Sequence, residues 1–506
     1  MAHKIGTATN FSDYVTQLLE FLSTDPTLVA NGQQWQILRN RRNNLQGVAV
    51  YNCTQADSNS SSRQVKDVFR IDPRTSNGDS YTTEANFNCA LNSFVQGTSH
   101  FVITLVEARE LDKVQMSSGI YNSVLSMASQ LCTNFTLQYS DDGATWTNAL
   151  VYTAGTTWTA GEVRQYQIPA GLGAHKYWKF IPGAGTSGTT VRFHQLLLLE
   201  ADGTVANHFG DEVILKGTGS SGSEQIFVGF RTEFDITSGW YNFILNGFRG
   251  YDADTPFFDQ IGGLPSASWP SDLPANMRLS CPVVPMWDQP MKYWFTANGR
   301  RFIFSAKVSS SNVGAYLGFG LPYATPTQYP YPLVVSGTLL MPTSGRNTNM
   351  SFTLSNGRNT CPNCPGGTST AGASLYDNTT AYVMLPDSSW RPINSRHTTG
   401  SSSDGIVTLG IPTNGGGYAL PISIINFDFN KPYKQVLGGG YLLQPTIYYQ
   451  GAGLWVGPIC ELEGLYTITG YDNASENIVQ YNGLDHIVLQ NVYRNGVDDF
   501  WAIALD

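Results

Sequence analysis

The sequence predicts a mainly β, multidomain protein of β-sandwich architecture with a small N-terminal helical segment. Three observations carry that reading. Between Phe135 and Trp146 apolar and polar residues alternate, so Phe135, Leu137 and Tyr139 point to one face of a strand. Asp142-Gly143 then supplies a turn, and Trp146 restarts an apolar run. Composition agrees: among 506 residues there are 51 glycines, 12% aromatics and only 13% charged residues, where a typical soluble domain carries about 25% charge. Finally, convincing helical periodicity is confined to the amino end.

There, Phe11, Tyr14, Val15, Leu18, Leu19 and Leu22 follow the spacing of one helical face, with Asn10 or Ser12 to cap its start. Asp25-Pro26 reads as a cap with proline at the first helical position, and Asn31-Gly32 as the stop of a short second helix. Residues 1–34 are therefore read as a helical docking segment, too small to fold alone, packing on the sandwich or on a neighbouring subunit. A β-sandwich domain is expected over 35–205, with further core strands at 176–180 and 191–200. Strands near 212–216, 225–231 and 240–248 open a second β domain, 206–335 and 415–506. A Gly/Ser/Asn-rich insertion, 336–414, is expected to protrude while carrying a short strand at 381–385. Proline-rich loops at 264–274 and 323–332 favour extended contact loops over regular strands.

The strand that ends in Tyr139-Ser-Asp-Asp-Gly-Ala-Thr-Trp146, followed by Lys176-Tyr-Trp-Lys-Phe180 and the apolar run 191–200, resembles the discoidin module, a galactose-binding-like β-sandwich. The resemblance covers residues 101–201, about a fifth of the chain, and is more specific for fold than for ligand. A second resemblance rests on the helical lead through Phe21-Leu-Ser-Thr-Asp-Pro-Thr-Leu-Val-Ala-Asn-Gly-Gln-Gln-Trp-Gln-Ile-Leu38, the discoidin-like middle, and the ending Tyr481-Asn-Gly-Leu-Asp-His-Ile-Val-Leu-Gln-Asn-Val-Tyr493. Together these are similar to tail or baseplate structural proteins of tailed bacteriophages. That likeness implies synthesis in a host cytoplasm, incorporation into a virion tail, other tail proteins as partners and a homo-oligomer with closed symmetry. A host-surface glycan is the partner implied by the alternative, an adhesin. A tail-associated glycan hydrolase is a second alternative, because two carboxylates at suitable separation are all it needs. The structural reading expects no enzyme activity.

Other classes find less support. A net charge of −9 without a basic stripe argues against nucleic acid as a partner. The densest basic cluster, Arg39, Arg41 and Arg42, reads as a solvated or subunit-facing patch. No window approaches the apolar length of a membrane span, and the first residues do not read as an export signal. Seven cysteines, scattered and odd in number, do not form a disulfide framework. There is no G-x-S-x-G elbow and no H-E-x-x-H.

Candidate sites are few. Cys361-Pro-Asn-Cys364 has the spacing for two thiolates to share a structural zinc, with His397, Cys281 and Cys460 as remote further ligands. A local disulfide or two free thiols are the open alternatives. Asp252, Asp254 and Asp259 offer oxygen ligands for calcium; Asp141-Asp142 does too, but turn chemistry explains that pair. No other cofactor is expected. Lys216-Gly-Thr-Gly-Ser-Ser-Gly222 contains a G-x-G-x-x-G, yet a strand rather than a helix should follow, so it reads as a hairpin loop. His194 alternates with core positions and reads as a sheet histidine. Trp269, Trp287, Trp390 and Tyr329 are the aromatic candidates for a sugar platform, or equally for protein–protein anchors, which the low charge favours.

Overall fold

The structure is a computed structural model. It describes residues 1–52, 54–56, 69, 89–92, 95–118, 131–155, 157–159, 161–183, 191–193, 195–235, 239–263, 281–322, 332–340, 381–385, 388, 390–394, 405–409, 434–435, 441–444, 446–451, 454–469, 474–481, 483–490 and 500–505. Mainly antiparallel sheets make up the fold, with two helices at the amino end, α1 (Phe11–Thr24) and α2 (Pro26–Ala30). None of the described helices is long and apolar enough to cross a membrane. The chain divides into two compact units, a smaller one of Arg41–Glu212 and a larger one of Met1–Asn40 with the described residues from Val213 onward.

The helix signals hold in detail. The Asn10 side chain accepts from the Asp13 N–H at 2.9 Å, and Asp25 caps α2 by accepting from Thr27 and Leu28. Gly32 follows with φ +65°, a left-handed stop that glycine adopts without strain. Tertiary contact decides the rest. Tyr14, fully buried, donates to the Ser305 carbonyl at 3.2 Å and meets the rings of Phe243, Tyr293, Phe295 and Phe304 at centroid distances of 5.3–6.3 Å. The apolar stripe of α1 is thus covered within the larger unit, not held out to dock elsewhere. Ahead of the helix lies a strand the sequence reading missed, Ala2–Ala8, paired antiparallel with Met291–Ala297.

In the larger unit an 11-stranded sheet carries the core. Its strand Ser311–Phe319 continues past Gly320 into Leu321–Pro322, which pairs with Leu454–Glu461, so the sheet folds back on itself. A Cβ on Gly320 would stand 2.6 Å from the Cys460 sulfur, which explains glycine at that close approach. Trp294, Ile303, Tyr316, Ile447, Leu489 and Trp501 belong to one buried cluster here. The strands at 212–216, 225–231 and 240–248 are present as Glu212–Gly217, Ile226–Asp235 and Trp240–Phe248, and the G-x-G-x-x-G segment joins the first two without a helix. Within 336–414, the described strand Ala381–Met384 does not protrude. Ala381–Met384 is buried throughout and pairs with Leu333–Ser336 on one side and Trp390–Asn394 on the other, because an Ala-Tyr-Val-Met run is too apolar for solvent.

Of the three arginines expected to form a solvated or subunit-facing patch, Arg39 is buried, whereas Arg41 and Arg42 stay about a third exposed. Arg39 is only 5% exposed and donates to the carbonyls of Asp252, Ala253 and Thr255 at 2.8–3.1 Å. Arg41 pairs with Glu212 at 2.8 Å and Arg42 with Asp211 at 2.7 Å. Both carboxylates are nearly buried, so each needs the partly exposed guanidinium that covers it.

The smaller unit is a β-sandwich. A five-stranded sheet runs in the order Leu45–Tyr51, His100–Glu110, Ala174–Pro182, Phe135–Ser140, Thr147–Tyr152. A three-stranded sheet runs Val163–Gln167, Lys113–Ser117, Gln195–Leu199. Their inner faces meet through rings: Phe180 stacks on Phe101 and on Phe135 at 5.2 and 4.9 Å, and Phe135 meets Tyr166 edge-on at 5.0 Å. Trp178 is fully buried and donates its indole N–H to the His175 carbonyl at 3.1 Å. Phe135 and Leu137 face this core, as their alternation predicts.

Candidate functional site

Strand alternation that buries Trp178 and Phe180 places Tyr177 and Lys179 on the opposite, outer face of the five-stranded sheet. Cross-strand register then sets their neighbours. Lys179 lies opposite Val102 on one side and Gln138 on the other, and Gln138 opposite Asn148. Tyr177 lies opposite Thr104 and Ser140. At the far side, Tyr51 pairs with His100. Small residues, Gly47 and Ala49, fill the strand between, so the face is shallow rather than filled.

What makes this face a candidate site is the way Trp146 is presented on it. The Asp142 carboxylate accepts from the N–H groups of Ala144 and Thr145 at 2.8 and 2.7 Å and from the hydroxyls of Ser140 and Thr145 at 2.8 and 3.1 Å. Those bonds, the two backbone N–H groups foremost, hold its carboxyl well below the usual carboxylate range. Gly143 occupies the left-handed region at φ +72°, and a Cβ there would lie 3.5 Å from the Tyr177 ring, so the turn rests on that ring. Asp141 beside it bonds His175 Nδ1 at 2.7 Å, while His175 stacks on Tyr139 at 3.9 Å and its Nε2 lies 2.8 Å from the Leu172 carbonyl. The turn is consequently fixed from below and from the side, and Trp146 leaves it in a set position.

The half-buried Trp146 ring stands over Lys179, with the ammonium 4.0 Å from the ring centroid. Partial burial lowers the Lys179 pKa from its ordinary value. Alongside, the Gln138 amide donates to Asn148 at 2.8 Å, leaving the other atoms of both exposed amides to hydrogen-bond outward. Tyr51, 46% exposed, stacks on His100 at 4.9 Å with the ring planes 15° apart. By sheet spacings its backbone is about 12 Å from that of Lys179. Two aromatic stations, a pair of amides and one cation thus share an open face.

The positions singled out from sequence fare differently. Trp390 is not an exposed platform: it is 2% exposed, and its indole N–H donates to the Gly262 carbonyl at 2.8 Å. Its ring fits only because Gly247 opposite lacks a side chain, a Cβ there lying 2.8 Å from Trp390 Cη2. Trp287 is half-buried in the larger unit. Trp269, Tyr329, His194, His397, Cys361 and Cys364 lie outside the described residues. Cys281 and Cys460 are fully buried, and desolvation pushes the Cys460 thiol up. Asp252 spends its carboxylate on the Asp254 N–H and the Thr255 hydroxyl, and the carbonyls around it already serve Arg39. Among the described residues, no group of three or more His, Cys, Asp or Glu converges to hold a metal ion. From sequence, Trp146 and Lys179 read only as marks of fold. Alternation about Trp178 was the signal that could have put Lys179 on the open face.

No protein-family model matches the chain, and no curated protein matches it. Among solved structures it is similar to a CBM32 module from a family 31 glycoside hydrolase of Clostridium perfringens, at 14% identity and TM-score 0.22, over 31% of this chain and 95% of that one. It is also similar to the CBM32 of AlyQ in complex with 4,5-unsaturated mannuronic acid, at 12% identity and TM-score 0.21, over 32% and 99%. The family 32 module of C. perfringens NanJ in complex with galactose matches at 12% identity and TM-score 0.19, over 30% and 90%. TM-scores at this level carry no argument for shared ligands, and the β-sandwich rests on the registers and ring contacts above.

Proposed function

We propose that the smaller unit is a carbohydrate-binding module and that the chain acts by attaching itself to a glycan through the outer face of its five-stranded sheet. The observation that carries this reading is Trp146, held by a hydrogen-bonded turn beside the Gln138–Asn148 amide pair on an open face. A sugar presents an apolar C–H face and a rim of hydroxyls. An aromatic ring next to outward-facing amides answers both, and a pre-set ring forfeits little entropy on binding. A protein partner of ordinary size would call for a larger, drier apolar centre than this shallow face of small and polar residues. The tail or baseplate role implied by the sequence resemblance draws no support from the fold, and it stands as the second proposal behind this one.

Affinity electrophoresis of the full chain through gels containing plant, algal or bacterial polysaccharides tests the reading. Retardation by at least one polysaccharide is expected, with Trp146→Ala weakening it about tenfold or more while the thermal midpoint stays within a few degrees. A wild-type protein retarded by none of them overturns the reading, and so does a Trp146→Ala variant that binds as well as wild type.

A further inference from the structure

If the face binds glycan as proposed above, Lys179 sets which glycans it takes. Its ammonium carries three donors, yet among the described residues its one partner is the Trp146 ring, 4.0 Å away. The outer-face positions opposite it and its row neighbours, Val102, Gln138 and Asn148, carry no charge. Several other cations of this unit do have carboxylate partners: Arg42 has Asp211, Arg164 has Glu162 and Lys113 has Asp112. The nearest acids on the face are committed too, Asp142 to its own turn and Asp141 to His175. A half-buried, uncompensated cation on an open face costs the free protein hydration that a bound anion would restore.

We propose that this face selects anionic polysaccharides, with Lys179 receiving the carboxylate or sulfate of the sugar while Trp146 carries its ring and the Gln138 and Asn148 amides meet its hydroxyls. Lys179 and Asn148 are two strand spacings apart, about 10 Å, so the acid group and the hydroxyls are read across neighbouring strands. A neutral glycan satisfies the ring and the amides but leaves the ammonium with no counter-charge.

The test compares binding of the full chain to polygalacturonate, dextran sulfate and a neutral galactan, at low and raised salt, for wild type, Lys179→Met and Lys179→Arg. Wild type is expected to bind at least one anionic polymer about tenfold or more tighter than the neutral one, with the ratio falling as salt rises. In Lys179→Met the ratio collapses towards one, whereas Lys179→Arg keeps it well above one. Polygalacturonate winning identifies a carboxylate as the anion, and dextran sulfate winning identifies a sulfate ester. Equal binding of neutral and anionic polymers by wild type overturns the proposal but leaves glycan binding standing, as does a preference that survives Lys179→Met. Binding to none of the three fails this proposal, and with it the broader reading if the wider polysaccharide set is negative too.

Discussion

The two units use the same strand chemistry to opposite ends. In the larger unit, Arg301–Val308 is buried at nearly every position: Ile303 faces the cluster that holds Trp501, while Phe304 next to it meets Tyr14 and Phe243 on the other side. In the sandwich, Phe135–Ser140 buries Phe135 and Leu137 but leaves Thr136 and Gln138 half-exposed. A sheet covered on both faces has nothing left to offer a ligand. A sheet covered on one face can hold its shape with the inner residues and use the outer ones for recognition. That difference separates two tryptophans: the buried Trp390 sits in the doubly covered sheet, and the half-buried Trp146 at the edge of the open one.

The strongest test of this contrast is a pair of neighbouring alanine substitutions in each unit, read by chemical denaturation. Ile303→Ala and Phe304→Ala should each cost about 2–5 kcal/mol, because both residues leave cavities in packed surroundings. Leu137→Ala should cost a similar amount, but Gln138→Ala should stay within about 0.5 kcal/mol, as surface changes usually do. A large loss at Gln138, or a small one at Phe304, would break the comparison.

An intermediate effect is expected at the turn that carries Trp146. Asp142 is held below its ordinary carboxylate value, so it contributes stability that is fully present above that value. The contribution fades as pH falls from the ordinary range towards the lowered one. Thermal midpoints of wild type and Asp142→Asn should therefore differ most near neutral pH and converge as the pH drops below about 4, the ordinary value for an aspartate. A gap that widens on acidification would contradict the hydrogen-bond account of the turn.

The smallest effect should come from Glu476, which pairs with Lys292 at 2.6 Å and with Lys307 at the surface of the larger unit. Those two bonds lower its pKa, but both lysines are more than a third exposed. Solvent screening then limits Glu476→Gln to roughly 0.2–1 kcal/mol, and raised salt should erase even that. A loss of several kcal/mol would mean that the outside of the doubly covered unit is not the passive surface its exposure suggests.

By itself the sequence determined the local geometry wherever a residue's own covalent chemistry decides it. Asn10 and Asp25 cap helices because a short side-chain oxygen reaches the first free N–H groups. Gly143 makes its turn because φ +72° costs glycine little, and Phe135 and Leu137 face inward because strand side chains alternate. Mainly β architecture and the existence of strands around 135–140 and 176–180 were legible for the same reason, whereas the run 191–200 divides between two sheets. Tertiary structure alone decided which faces are covered: that α1 lies on the rings of the larger unit, that Ala2–Ala8 finds a partner strand nearly 300 residues away, that Arg39 turns inward to three carbonyls, and that the Lys179 ammonium comes to lie against the Trp146 indole. Alternation says which side chains share a face, but burial depends on what the chain brings back over that face from far away, and a one-dimensional pattern does not contain that distance.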